Sequence, residues 1–149
     1  MAEAVVNRHG KGRFRAFSAA IEPSAAADKM AVEVLAQVGY SAVGLRPKHW
    51  SEFMRPSAPV FDFVFTLSDS ASRRFPDWPG KPVSSHWRYP DPISSKSEEW
   101  QRRREFTRTL SALEQQMRVF MQLPLQRLDA IALQKRLDEI GAEHSTGPG

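Results

Sequence analysis

Cysteine is absent from all 149 residues. This polypeptide therefore offers no disulfide, no thiolate metal ligand and no thiol nucleophile. Long apolar runs are absent too. The longest, residues 60–67 (VFDFVFTL), has eight residues and carries Asp62. A bilayer span needs about 20. The opening stretch MAEAVVNR holds an acid at Glu3 and no apolar core, so it is not a secretory signal. These features set the expectation of a cytoplasmic protein with no membrane partner. Strong charge of one sign is also lacking. Lys+Arg number 21 against 17 Asp+Glu, a net of +4. That surplus is too small to argue for nucleic acid as a partner.

Several motifs are missing as well. The chain has no G-x-S-x-G elbow and no Walker loop. Gly10-Lys11-Gly12 follows a helical stretch and precedes a strand-like one. A dinucleotide fingerprint needs the reverse order, so this is a turn. The four histidines, at 9, 49, 86 and 144, are at least 37 residues apart. No pair has local metal-ligand spacing, and surface or loop histidines are expected, with no metal and no cofactor. Arg102, Arg103 and Arg104 form a basic run. Successive helical residues point about 100° apart, so a solvated face is expected rather than one anion clamp.

What is present suits one globular domain. Apolar residues make up 41% of the chain, enough for a single core. Residues 1–8 read as a helix ending at Gly10-Lys11-Gly12. A helix opening at residue 1 has no earlier side chain to cap its first amides. Residues 13–18 alternate, with Phe14 and Ala16 opposite Arg13 and Arg15, as in a half-buried or edge strand. Residues 24–38 read as a helix with Met30, Val34, Leu35 and Val38 as its apolar stripe, stopped by Gly39. A short helix is expected at 50–54.

Residues 60–67 are apolar almost throughout, which matches a parallel strand covered on both faces. Residues 68–82 read as loop and 83–87 as a short strand. Ser95 and Glu98 suggest a capping box for a helix carrying Trp100, Phe106, Leu110, Leu113, Met117 and Phe120. Pro124 breaks it. A second helix carries Leu125, Leu128, Ile131, Leu137 and Ile140 and ends at Gly141. The expected organisation is one domain over residues 1–141, a helical extension over 125–141 and a flexible tail over 142–149. Alternating strands and helices predict an α/β sandwich with a mostly parallel sheet.

Several segments, in order, resemble one family. They are Met1-Ala2-Glu3-Ala4, residues 13–19 (RFRAFSA), Gly44-Leu45-Arg46, residues 61–66 (FDFVFT), residues 78–82 (WPGKP), His86-Trp87, Pro90-Asp91-Pro92 and residues 133–141 (LQKRLDEIG). Together they resemble the low-molecular-weight tyrosine phosphatase fold, in its arsenate-reductase-like branch. The resemblance implies a flavodoxin-like three-layer sandwich with a parallel sheet of order 2-1-3-4. It also implies a phosphate-cradling loop, Cys-(five residues)-Arg-Ser, between the first strand and first helix. There the amides bind an oxyanion, the thiolate attacks phosphorus or arsenic, and the Asp of an Asp-Pro pair protonates the leaving oxygen. Asp91 matches that acid.

In the family the Met-Ala-Glu-Ala stretch follows the Cys/Arg loop, and here it occupies residues 1–4. The expected fold is thus an incomplete sandwich, without strand 1 and its loop. Ser68 and Phe75 stand where the reductase branch often carries further cysteines. Without strand 1, residues 13–18 and 60–67 would lie about 10 Å apart rather than about 4.8 Å. Either the two strands close up and pair, or another chain donates a strand, so a homo-oligomer formed by strand pairing is one expectation.

Three functions follow. The first is a catalytically inactive family member or the product of a shortened reading frame. In the second, an upstream coding segment supplies the loop and the intact product is an arsenate reductase or tyrosine phosphatase. It would bind arsenate or phosphate, with Asp91 as acid and Arg46, Arg73, Arg74 and Arg88 as candidate oxyanion neighbours. The third is a non-catalytic interaction module.

Overall fold

The computed structural model describes residues 1–92 and 96–145. It is a mixed α/β structure whose sheet is small. Strand β1 (Phe63–Thr66) pairs in parallel with β2 (Val83–His86), from Phe63 opposite Val83 to Thr66 opposite His86. Among the described residues there are five α-helices: α1 (Ala2–His9), α2 (Lys29–Gln37), α3 (Asp69–Arg73), α4 (Glu99–Met121) and α5 (Ala130–Ser145). No helix among the described residues is long and apolar enough to cross a membrane.

Helix α4 is the axis of the core. Its 23 residues extend about 35 Å. Phe106, Leu110, Leu113, Met117 and Phe120 recur at helical spacing and are all buried. Val5 of α1 and Met30, Val34 and Leu35 of α2 bury against the same core. Arg102 and Arg103 of α4 reach Asp28 and Glu33 at 3.6 and 2.7 Å. Two members of the basic run are therefore tied to α2. Phe63 and Phe65 of β1 set their rings 5.0 Å from that of Phe120.

Helix α5 runs along the other side of β2. The Trp87 indole N–H donates to the Leu137 carbonyl at 2.9 Å, and Gln134 Nε2 donates to the Ser84 carbonyl at 2.7 Å. The outer edge of β2 is thus closed by a helix.

Several expectations change. Residues 13–18 form no strand. The Asn7 side chain donates to the Ala16 carbonyl at 3.0 Å and accepts from its N–H at 2.8 Å. One amide side chain thus satisfies the peptide that a neighbouring strand would have paired. The expected closing of 13–18 onto the 60–67 run does not occur, and among the described residues the sheet consists of the parallel pair β1 and β2. Strand β1 is shorter than the apolar run, and all four of its residues are only half-buried.

Helix α2 starts at Lys29 rather than near residue 24. Asp28 caps it, accepting from the Met30 N–H at 2.9 Å, and Val38 lies beyond its end, 49% exposed. Residues 68–82 contain α3, which the Ser68 hydroxyl caps by accepting from the Ala71 N–H. Ser95 lies outside the described residues. The capping box of α4 joins Glu98 and Gln101. Trp100 and Ile131, expected in the core, are 62% and 83% exposed, and Leu133 is buried instead. Leu125 and Leu128 precede α5 in a turn and pack against the core from there.

Gly141 does not end α5, which continues to Ser145. A Cβ at Gly141 would lie 2.6 Å from Trp87 Cδ1. The glycine is needed for close approach, not for a left-handed stop. The tail expected from residue 142 is therefore helical as far as 145, and residues 146–149 lie outside the described residues. The short helix at 50–54 is a 3-10 turn, Trp50–Met54, and α1 has no side-chain cap.

Two polar clusters sit at helix junctions. The Lys48 ammonium, in a residue only 8% exposed, donates to the Arg46 carbonyl at 3.1 Å and lies 3.5 Å from Glu3. Glu3 also accepts from the Ser18 hydroxyl. The Tyr40 hydroxyl donates to Glu114 of α4 at 2.7 Å. Burial first, and then that carboxylate, push the Tyr40 phenol up to about 12.

Gly141→Ala should lower stability by about 1–3 kcal/mol in urea melts through overpacking against Trp87, although alanine is the better helix former. An equal or higher midpoint would show that the contact yields. At alkaline pH, folded Tyr40 keeps its proton while the unfolded phenol loses it near pH 10. The unfolded state then binds fewer protons, so stability should fall as pH rises from about 10 towards 12. Tyr40→Phe should flatten that limb in chemical melts run across the range.

Candidate functional site

Parallel strands end together. In an open α/β sheet the carboxyl ends are where side chains and loops converge on ligands. Here β1 ends at Thr66 and β2 at His86, and the two are in register. Ser68 and Asp69 follow β1 at the start of α3. Arg88, Tyr89 and Asp91 follow β2.

Three of these groups form a continuous hydrogen-bonded chain. The Asp69 Oδ1 atom lies 3.1 Å from His86 Nε2, and His86 Nδ1 lies 2.7 Å from the Thr66 hydroxyl. An ionised carboxylate only accepts, so Nε2 carries the proton. In the neutral ring Nδ1 then accepts, and the Thr66 hydroxyl donates to it. The Thr66 carbonyl, 3.1 Å from the same nitrogen, is the alternative acceptor when the ring is charged. Arg88 completes the cluster with a 3.2 Å ion pair to the second oxygen of Asp69. The hydrogen bond from His86 holds the Asp69 carboxyl below its ordinary range, with the charges of Arg88, His86 and Arg73 adding to it.

The chemistry available to this cluster is hydrogen bonding and proton exchange by an oriented imidazole. Among the described residues, no group of three or more His, Asp and Glu side chains could hold a metal ion. Two cavities lie elsewhere. One of about 730 Å³ opens along Ile131, Gln134 and Asp138 of α5. Another of about 390 Å³ is lined by Phe75, Trp78, Lys81 and Ser84.

Asp91 is exposed in the segment after β2. Of the four arginines considered as oxyanion neighbours, only Arg88 follows β2 directly and pairs within the cluster. Arg46 grips Glu52 through two bonds of 2.9 and 2.7 Å, and Arg74 pairs with Glu22 at 3.2 Å. Arg73 is exposed in the last turn of α3. The structure does not gather the four around one centre.

Sequence reasoning did not find the Asp69–His86–Thr66 chain. His86 is exposed and ends the strand expected over 83–87, and the sequence carries no sign of the hydrogen bonds its ring makes. The usable signal was the pairing of two predicted parallel strands, which puts Thr66 and His86 side by side.

A family model described as low molecular weight phosphotyrosine protein phosphatase matches residues 1–135. No curated protein matches the chain.

His86→Ala should return the Asp69 carboxyl towards its ordinary value in a carboxyl-detected NMR titration, and Arg88→Ala should do so by a smaller amount. Because folded Asp69 is shifted down, its contribution to stability is present above the unfolded value near pH 4 and is lost as pH falls through the folded one. A carboxyl unmoved by His86→Ala would refute the assigned hydrogen bond.

Proposed function

The chain belongs to the low molecular weight phosphotyrosine protein phosphatase family, and from that premise we propose that this polypeptide is an arsenate-reductase-like member that performs no thiol chemistry of its own. The observation carrying the proposal is the complete absence of cysteine. The family reaction, as the resemblance implies it, begins with attack by a thiolate on phosphorus or arsenic. A serine or threonine hydroxyl ionises far less readily near neutral pH than a thiol. Neither Ser68 nor Thr66 is therefore a substitute of comparable strength.

Asp91, between Pro90 and Pro92 and beyond β2, matches the family acid by resemblance. Its role is protonation of a leaving oxygen wherever a Cys-(five residues)-Arg-Ser loop faces it. With such a loop the oxyanion ligand is phosphate or arsenate. Without one, the acid has no attacking partner, because protonating the leaving group accelerates a displacement that something else must begin. The engagement of Arg46 and Arg74 by carboxylates supports the same reading, since neither guanidinium is left open for an anion.

Purified chain should show no p-nitrophenyl phosphate hydrolysis above the buffer blank. It should equally fail to reduce arsenate in the presence of a dithiol. Turnover that disappears in Asp91→Asn would overturn the proposal, because it would mean that another nucleophile works with that acid.

A further inference from the structure

The loop that joins α3 to β2 encloses a space of its own. It enters β2 at Val83, at the opposite end of the strands from Thr66 and His86. Phe75, Asp77, Trp78, Lys81 and Ser84 line a cavity there of about 390 Å³, within the size range of small-molecule sites. Local contacts fix the path of the loop. The Trp78 ring lies 5.7 Å from that of Phe61. Residues 78–81 form a turn in which the Lys81 N–H donates to the Trp78 carbonyl at 3.3 Å. Gly80 has a φ of 82°, and a Cβ there would lie 2.6 Å from Val60. Lys81 follows with a φ of 50°, the one positive value at a non-glycine residue among those described. Glycine would adopt that conformation freely, so a lysine kept there at a cost points to a use for its side chain.

The wall of the cavity combines rings with charges of both signs. The Phe75 residue is 39% exposed, and its ring lies 6.2 Å from that of Trp78, tilted by 58°. Asp77 and Lys81 are exposed, and among the described residues neither has an ion-pair partner. The Trp78 indole N–H is buried and finds no acceptor there. Buried donors in native proteins are nearly always bonded, so this one calls for an acceptor that the described residues do not supply.

We propose that this cavity binds a small zwitterion carrying a planar apolar group, of which an aromatic α-amino acid is the simplest example. The ligand carboxylate meets the Lys81 ammonium and brings an acceptor to the Trp78 N–H. Its ammonium meets Asp77, and its ring lies against Phe75 and Trp78. The flexible stem of Lys81 lets its ammonium follow the carboxylate into place. Opposed charges on one wall give the selectivity. Asp77 repels a simple anion and Lys81 a simple cation, whereas a ligand with both charges satisfies both. The site stands apart from the reading of catalysis, since no group of the Asp69–His86–Thr66 chain and no part of the Asp91 segment belongs to it.

Phenylalanine is the probe, because it adds no indole signal of its own. Its titration should saturate with a dissociation constant of about 1 mM and should move the Trp78 indole N–H resonance, which is identified by its loss in Trp78→Phe. Alanine, lacking the ring, should bind about tenfold more weakly or worse. Asp77→Asn should weaken phenylalanine about tenfold and leave N-acetylphenylalanine, which has no ammonium, unchanged. Lys81→Gln should weaken phenylalanine as much and leave phenylalaninamide, which has no carboxylate, unchanged. Both positions are exposed, and circular dichroism checks that each variant folds. The absence of saturation up to about 20 mM overturns the proposal. So does N-acetylphenylalanine or phenylalaninamide binding as tightly as phenylalanine, or a loss of affinity that does not follow this pairing of variant with ligand. Tighter binding of a proline-rich peptide than of phenylalanine assigns the rings to a protein segment, and overturns it too.

Discussion

The fold turns on the indole of Trp87. It is fully buried where four elements meet. Its ring lies 4.3 Å from that of Phe65 on β1 and 6.3 Å from that of Phe120 on α4. Its N–H is bound by the Leu137 carbonyl of α5, and Gly141, one turn later, leaves room for its edge. A two-stranded parallel sheet is not stable by itself. This one persists because Trp87 fixes α5 against β2 while Phe120 fixes α4 beneath β1. The apolar burial is large, but the indole hydrogen bond gives the helix its register, since a buried indole N–H must find an acceptor.

Much of the helical architecture was legible in the sequence. The spacing of Phe106, Leu110, Leu113, Met117 and Phe120 admits one buried face, and the structure buries that face. Periodicity failed at the helix ends. Trp100 stands in the first turn of α4 and Ile131 in the first turn of α5. Each keeps the helical interval but has no neighbour to cover it. Gly141 misled for a related reason. A glycine late in a helix reads as a stop unless one knows that an indole lies against it, and that contact is more than 50 residues distant in sequence. The 13–18 segment has the alternation of a strand, and alternation reports which faces differ, not whether a partner strand is within reach.

The candidate site was legible only in part. The position of Asp91 came from resemblance, and the residue is exposed in the segment that follows β2. Of the carboxylate–imidazole–hydroxyl chain, only the Thr66–His86 neighbourhood could be drawn from the two expected strands, because Asp69 lies on a short helix in a stretch that reads as loop. Their proximity is a property of strand register. The basic residues show the reverse. Four arginines looked alike in the sequence, and the structure separates them by their carboxylate neighbours. The chain thus keeps a well-packed scaffold around a sheet end whose polar groups largely satisfy one another.

The Asn7 clamp has a mechanical consequence. A strand in a sheet is released rung by rung, and each rung resists in turn. Residues 13–18 are held instead by separate side-chain fastenings: the Asn7 amide on the Ala16 peptide, Glu3 on the Ser18 hydroxyl, and the Phe14 and Phe17 rings on Phe120 and Phe61. Such fastenings are independent of one another, so undoing the Asn7 amide alone leaves the stretch seated by its ring contacts.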